Sequence, residues 1–451
     1  MPGLRNKKIK QTNKTRETQP MTNSSSDAQV ATYIQQAAKA AWNVDGISDA
    51  LPRRKIESVG IIGAGTMGGG ISMNFASAGI PVTIVETKQE ALERGLGVIQ
   101  KNYQRSADRG RFPQEEVEIC MSRYTPSLDL SALSSCDLII EAVFEDMDIK
   151  KSVFSQLDKI AKPGAILATN TSALNIDEIA SVTSRPEDVI GLHFFSPANV
   201  MRLLEIVRAE KTADDVVATS VDLARTIGKV AALVGVCPGF VGNRILFARQ
   251  YQANALVYKG IMPWDIDAAF NEFGFKMGPF QMSDLAGLDI GWKKGATTTN
   301  PIRDALCELD RRGQKTGAGY YDYDESRKNI PSDVTAGIIR DITGADDASM
   351  SNAAIIDQCV IPMINEALAI LEENKAQRPS DIDVVWLNGY GWPLDKGGLM
   401  YYADTLGAQK VLDVMSDLAA SDDSIKVSPL LAELVASGGK FVDIDTGGLK
   451  V

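Results

Sequence analysis

One histidine serves the whole 451-residue chain: His193, in the run Gly191-Leu192-His193-Phe194-Phe195-Ser196-Pro197. Imidazole is the side chain whose ordinary pKa lies in the physiological range, so proton transfer by histidine near neutral pH has a single candidate here. A core histidine satisfied by hydrogen bonds would fit that position too. The residues downstream bear on the choice. Pro197 stops the strand, and Leu203-Leu204-Glu205-Ile206-Val207 reads as a returning one. The connection centres near Asn199, with His193 and Glu205 equidistant from it. In an antiparallel pair such positions face each other, which brings carboxylate and imidazole within hydrogen-bond reach. The pair is then a general base with an acid that fixes its tautomer and stabilises the imidazolium. A solvated strand residue is the alternative for Glu205.

A second constellation is Ser58-Val59-Gly60-Ile61-Ile62-Gly63-Ala64-Gly65-Thr66-Met67-Gly68, an apolar strand running straight into GxGxxG. A helical pattern follows as far as Ala78-Gly79, then a strand from Ile80 to Val85 that ends on Glu86, which supplies the βαβ context the motif requires. Gly63 permits the tight turn, Gly65 lets backbone approach a pyrophosphate and Gly68 allows close helix packing. The N–H groups around Ala64, Thr66 and Met67 open the helix toward an anion. Glu86 stands where a carboxylate binds ribose hydroxyls and repels an extra phosphate, so the expected cofactor is NAD rather than NADP. Gly69 and Gly70, costly inside a helix, imply that something lies very close to this turn.

These residues need a scaffold. Further strands are read at Asp137 to Ala142, Ala165 to Thr169 and Asp188 to Phe195, with helices between: a Rossmann-type, doubly wound parallel sheet. Ligands bind beyond the carboxyl ends of such strands, where His193, Ser172 and Glu145 all fall. The length suits about three domains. A hydrophobic content of 44% and a charged content of 23% fit an ordinary globular protein, and a net charge of -11 argues against a nucleic-acid partner. No uninterrupted apolar run nears the roughly 20 residues of a membrane span. Five scattered cysteines without a CxxC pair fit free thiols in a reducing compartment, and cytoplasm is expected. No candidate metal cluster stands out. Met1 to Ser26, basic and without apolar periodicity, reads as a disordered tail, and Ala28 to Asn43 as a linker helix.

Several motifs together resemble the 3-hydroxyacyl-CoA dehydrogenases: Val59 to Gly68, Glu141-Ala142-Val143-Phe144-Glu145, Asn170-Thr171-Ser172-Ala173-Leu174, His193 to Pro197 and Pro238-Gly239-Phe240-Val241-Gly242-Asn243-Arg244. Phe273 to Phe280, Lys315 to Tyr321 and Gly389-Tyr390-Gly391-Trp392-Pro393 look most like the dehydrogenase part of the multifunctional, peroxisomal-type β-oxidation enzymes. The resemblance implies NAD-dependent, reversible oxidation of (S)-3-hydroxyacyl-CoA. His193 would be the base and Glu205 its partner, while Ser172 and Asn243 would hydrogen-bond the oxygen at C3 or the thioester. Glu145, Lys150 and Lys315 match positions that line the dinucleotide. Ser196 replaces the asparagine of short members, which puts one cofactor contact in doubt, and Asn199 stands where the long branch has histidine.

No hydratase/isomerase half fits before Val59, so a stand-alone dehydrogenase is expected, working beside a separate enoyl-CoA hydratase and thiolase. The C-terminal half contains an internal repeat: Asn254 through Asp265-Ile266-Asp267 and Gly274-Phe275 recurs as Asn365 through Asp381-Ile382-Asp383 and Gly391-Trp392, and Asp284 answers to Asp404. The expected organisation is tail and linker helix to residue 50, an NAD-binding domain at 51–236, and two all-α domains at 237–335 and 336–451. Pairing of the two copies within one chain implies a monomer. Lys101, Arg105 and Arg109, spaced four apart on the helix after Glu86, with Arg111, offer a basic face for the adenosine phosphate of the acyl-CoA; a solvated helix face explains the same spacing. Another NAD-dependent β-hydroxyacid dehydrogenase, which would use lysine as its base, and a non-catalytic NAD-binding protein are the alternatives.

Overall fold

The computed structural model describes residues 25–295 and 297–449. The basic tail therefore lies outside the described residues, apart from its last two positions, which open helix α1. That helix spans Ser25–Ala40.

Four short apolar runs make the centre of the sheet: β1 (Val59–Ile62), β2 (Val82–Val85), β4 (Leu138–Glu141) and β5 (Ile166–Thr169). They are buried with almost no alternation, as in parallel sheets covered on both faces. The covering helices are α2 (Thr66–Ser77), α3 (Gln89–Asp108), α4 (Gln114–Met121), α5 (Met147–Ile160), α6 (Ile176–Ala180) and α7 (Asp214–Thr226). Strands β3 (Tyr124–Ser127), β6 (Val189–Phe194), β7 (Leu203–Arg208) and β8 (Val230–Gly235) complete a sheet ordered β3-β2-β1-β4-β5-β6-β7-β8. Six strands are parallel. The β6–β7 connection is too short for a crossover, so β7 returns antiparallel to β6, and β8 runs with β7.

Two strands of this sheet escape the sequence reading, as does a separate two-stranded hairpin, Tyr321–Tyr323 with Asn329–Pro331, inside the 237–335 region read as all-α. β3 contains Pro126 and has no apolar alternation; it is tolerated because it sits at an edge. β8 occupies the other edge yet is buried throughout, because the chain near Lys375 and Ala376 bridges it and the second helical repeat packs over it.

The first repeat comprises α8 (Gly242–Tyr258), α9 (Pro263–Phe273), α10 (Pro279–Ala286), α11 (Pro301–Glu308), the hairpin β9 (Tyr321–Tyr323) and β10 (Asn329–Pro331), and α12 (Asp333–Thr343). The second comprises α13 (Asn352–Glu372), α14 (Pro379–Gly389), α15 (Leu399–Leu406), α16 (Ala408–Ser421) and α17 (Pro429–Ser437). At 21 residues α13 is long and apolar enough to cross a membrane by composition. It is instead a core helix, buried among α8, α9 and α16.

The repeat is visible in its hydrogen bonds. Asp267 accepts from Phe280 N, Gln281 N and the Tyr321 hydroxyl. Asp383 accepts from Met400 N, Tyr401 N and the hydroxyl of Tyr33, which arrives from α1.

Candidate active site at the carboxyl edge of the sheet

The register pairs His193 directly with Glu205 across β6 and β7. His193 Nδ1 lies 2.7 Å from Glu205 Oε2, with both side chains buried. The other carboxylate oxygen accepts from Gly242 N at 2.9 Å. That N–H opens α8, so the positive end of a helix dipole faces the carboxylate. Phe195 and Phe240 flank the imidazole at ring distances of 4.4 and 5.7 Å, and Nε2 has no partner among the described residues.

Beside this pair, β5 ends in a turn that holds Ser172. Glu145 gathers the turn through one oxygen, which accepts from Thr171 Oγ1 at 2.7 Å, Ser172 N at 2.7 Å and Ser172 Oγ at 3.0 Å. Burial alone would raise the Glu145 pKa, but Thr171, Lys150 and Ser172 together hold it below the ordinary carboxylate range. Asn243 Oδ1 accepts from the Tyr390 hydroxyl at 2.8 Å, and its Nδ2 reaches Ser172 O at a long 3.4 Å. Sequence reasoning passed over Tyr390, which stood within a quoted motif but was given no task.

Lys150 does not line an open edge. It is 1% exposed, with Nζ at 2.8 and 3.0 Å from the two oxygens of Glu141 and 3.4 Å from Glu145. Glu141 is fully buried at the end of β4 and must be paired, so this ammonium positions Glu145 from behind. Lys315 sits on the first helical repeat, ion-paired with Asp289 at 2.5 Å. No hydrogen bond or ion pair among the described residues brings it to the glycine turn. Lys101, Arg105 and Arg109 are exposed and without side-chain partners among the described residues. Helix α3 starts at the carboxyl edge and runs back alongside α2, which places them roughly 18 to 30 Å from its start. Ser196 is exposed on the loop after β6.

The glycine turn has the shape of a dinucleotide cradle. A Cβ at Gly68 would stand 1.9 Å from Gly63 O, and one at Gly63, whose φ is +97°, 2.8 Å from Ala142 O. At Gly65 nothing lies within 4 Å, so backbone borders open space, and no side chain caps the α2 N-terminus it begins. The residues present therefore fit a pyrophosphate. Glu86, at the end of β2, accepts from Ala64 N at 2.9 Å and Thr87 N at 3.0 Å. The close neighbour inferred from Gly69 and Gly70 is protein. A Cβ at Gly70 would press on Ala198, 3.1 Å from its Cβ, whereas at Gly69 it would make ordinary contact with Ile99 at 3.5 Å. Helix α2 thus supports the loop that follows His193, and Lys229 Nζ ties that loop by donating to Ala198 O and Met201 O at 2.6 Å each.

Residues 58–237 match the family described as 3-hydroxyacyl-CoA dehydrogenase, NAD binding domain, and residues 239–323 and 355–441 match its C-terminal domain. The chain is 44% identical over 389 residues to the peroxisomal bifunctional enzyme of Cavia porcellus, covering 80% of this chain and 53% of that one. It thus spans about half the length of such relatives. Solved structures that resemble it include two of the family's dehydrogenases. For 3-hydroxybutyryl-CoA dehydrogenase from Escherichia coli the TM-score is 0.73 at 27% identity, covering 85% of this chain and all of that one. For the dehydrogenase part of multifunctional enzyme 1 from C. elegans it is 0.66 at 31% identity, covering 90% and 96%.

The expectation of a cytoplasmic protein is overturned, because relatives from Cavia porcellus, Homo sapiens and Danio rerio are all named peroxisomal. The cysteines, all five free and buried, separate reducing from oxidising surroundings but do not tell one reducing compartment from another. With both family domains matched along the sheet and the helical repeats, this chain belongs to the 3-hydroxyacyl-CoA dehydrogenase family.

Proposed function

We propose that the protein carries out the reversible, NAD-dependent oxidation of (S)-3-hydroxyacyl-CoA to 3-oxoacyl-CoA in fatty-acid β-oxidation. The supporting observation is the 2.7 Å hydrogen bond between His193 Nδ1 and the buried Glu205, set at the carboxyl edge of a sheet whose first turn is open at Gly65. With Nδ1–H donated to Glu205, Nε2 keeps its lone pair for the proton of the 3-hydroxyl. Glu205 then stabilises the imidazolium, its second oxygen held by Gly242 N–H. In the reverse direction the same Nε2 returns the proton. Ser172 Oγ and Asn243 Nδ2 hydrogen-bond the oxygen at C3 or the thioester, and Glu145, backed by Lys150, keeps Ser172 in place. NAD, when bound, supplies the two-electron acceptor, with Glu86 and the turn from Gly63 to Gly68 holding it. A lysine-based β-hydroxyacid dehydrogenase would need a free ammonium here, and Lys150 is engaged by Glu141 and Glu145.

The working units on this reading are residues 51–236 for the dinucleotide, and 237–335 and 336–451 as helical domains. Packing of α13 on α8 and α9 within one chain supports a monomer; a tight dimer in light scattering would overturn that. Substrate and product link the activity to a hydratase and a thiolase. The decisive assay mixes protein, NAD and a chain-length series of (S)-3-hydroxyacyl-CoA thioesters and follows NADH. At least one thioester is expected to turn over; NAD binding without turnover of any would leave only a binding protein.

A further inference from the structure

The two helical repeats share a plan, and one of the places where they differ faces the catalytic pair. In register, Phe273-Gly274-Phe275 of the first copy corresponds to Tyr390-Gly391-Trp392 of the second, so the first copy has a phenyl ring where the second has a phenol. Asn243, at the start of α8, corresponds to Ala354 at the start of α13. Where the repeats meet, one side therefore joins a phenol to an amide, while on the counterpart side Phe273, which has no hydroxyl to give, shares a cleft with Ala353 and Ile356 beside Glu272, Asn352 and Asp357. The side with the phenol and amide is the one next to His193. Tyr390 donates to Asn243 Oδ1 at 2.8 Å, stacks on Trp386 with ring centroids 4.6 Å apart and meets Phe195 edge-on at 5.5 Å, and Phe195 itself lies against His193.

We propose that Tyr390 is a positioning residue for the reaction: its hydroxyl fixes the Asn243 amide so that Nδ2, not Oδ1, faces the substrate oxygen. An amide can present either a donor or an acceptor, and the wrong choice would confront the substrate oxygen with a lone pair. The Ser172 carbonyl can only accept, so it takes Nδ2, and the Tyr390 hydroxyl is then left to donate to Oδ1 and clamp that end of the amide. Ser172 O engages that nitrogen only at 3.4 Å, so a substrate oxygen can take its place. Burial, with Glu205 nearby, pushes the phenol well above its ordinary range, so the donor persists throughout the working pH range. The second repeat thus contributes to catalysis as well as to stability.

This rests on the dehydrogenase reading, and the test separates the two. Tyr390→Phe keeps the ring against Trp386 and Phe195 and removes only the oxygen. It is expected to lower kcat about tenfold, with KM for NAD unchanged and the protein still cooperatively folded at the assay temperature. In an Asn243→Ala background the same substitution should do nothing further, because there is no amide left to orient. Full kcat in Tyr390→Phe, or an equal additional loss in the Asn243→Ala background, would overturn the assignment. Wild-type protein that turns over no thioester would overturn the dehydrogenase reading instead.

Discussion

Glu205 divides its two oxygens between an imidazole and a helix N-terminus, and both bonds need it as an acceptor. Glutamine can accept with only one of its two terminal atoms, so Glu205→Gln must either set an NH2 group against Gly242 N–H or donate to Nδ1 and force the tautomer whose Nε2 carries the proton and cannot act as base. A fall in kcat together with a lower melting temperature is therefore expected. His193→Gln is cleaner. It removes the proton acceptor, and no residue of the glycine turn hydrogen-bonds the imidazole. Turnover should fall by at least 10²- to 10⁴-fold, the range of general-base catalysis, while NAD affinity measured by titration stays within about twofold. Retained activity would refute the proton account. The pair was legible in the sequence because hairpin geometry converts equal spacing into contact. The Glu141–Lys150 pair and Tyr390 were not, since burial and a contact from α14 to α8 decide them.

At the scale of elements, the β1–α2 turn separates glycines that serve the fold from one that serves a ligand. Gly68 is jammed against backbone at Gly63 O, with no flexible side chain to yield, whereas Gly65 has open space before it. Gly68→Ala should lower the melting temperature and weaken NAD. Gly65→Ala should leave the melting temperature within error while its methyl group occupies the pyrophosphate's approach, weakening NAD at least tenfold. Calorimetry beside an NAD titration reads both, and Gly65→Ala with full affinity would exclude a pyrophosphate at that turn. The motif announced which glycines matter, but not that Gly70 is shaped by Ala198 and so couples α2 to the loop beyond His193. The central strands were equally legible as apolar runs. Edge strand β3, with Pro126, was not, because sheet position rather than composition admits it. The basic spacing on α3 was legible too, and its three members are exposed on the helix surface.

For the whole molecule, the telling asymmetry lies in how each repeat satisfies its buried aspartate. Asp267 receives a hydroxyl from Tyr321, within its own repeat. The second copy has Val442 in the corresponding stretch, which has no hydroxyl to give, and Asp383 takes one at 2.6 Å from Tyr33 of α1 instead. The segment read from sequence as a linker helix therefore completes the polar core of the most distant domain. Asp383 is fully buried, and that burial pushes its carboxyl up to about 7, while the Tyr33 hydrogen bond pulls it down. The unfolded chain loses this proton near the ordinary value of 3.8. Between about pH 4 and 7 the folded state thus holds a proton that the unfolded state has released, and this carboxyl's contribution to stability declines as pH rises through that window. Removing the Tyr33 donor raises the folded-state pKa further, so the decline must continue to higher pH. Tyr33→Phe should then cost roughly 1–3 kcal/mol, and more at pH 8, where the carboxylate is ionised and short of a donor, than at pH 5, where it is protonated. Denaturant melts of wild type and variant at the two pH values measure this directly. A loss equal at both, or none at either, would mean that α1 merely lies on α14 and does not complete its core.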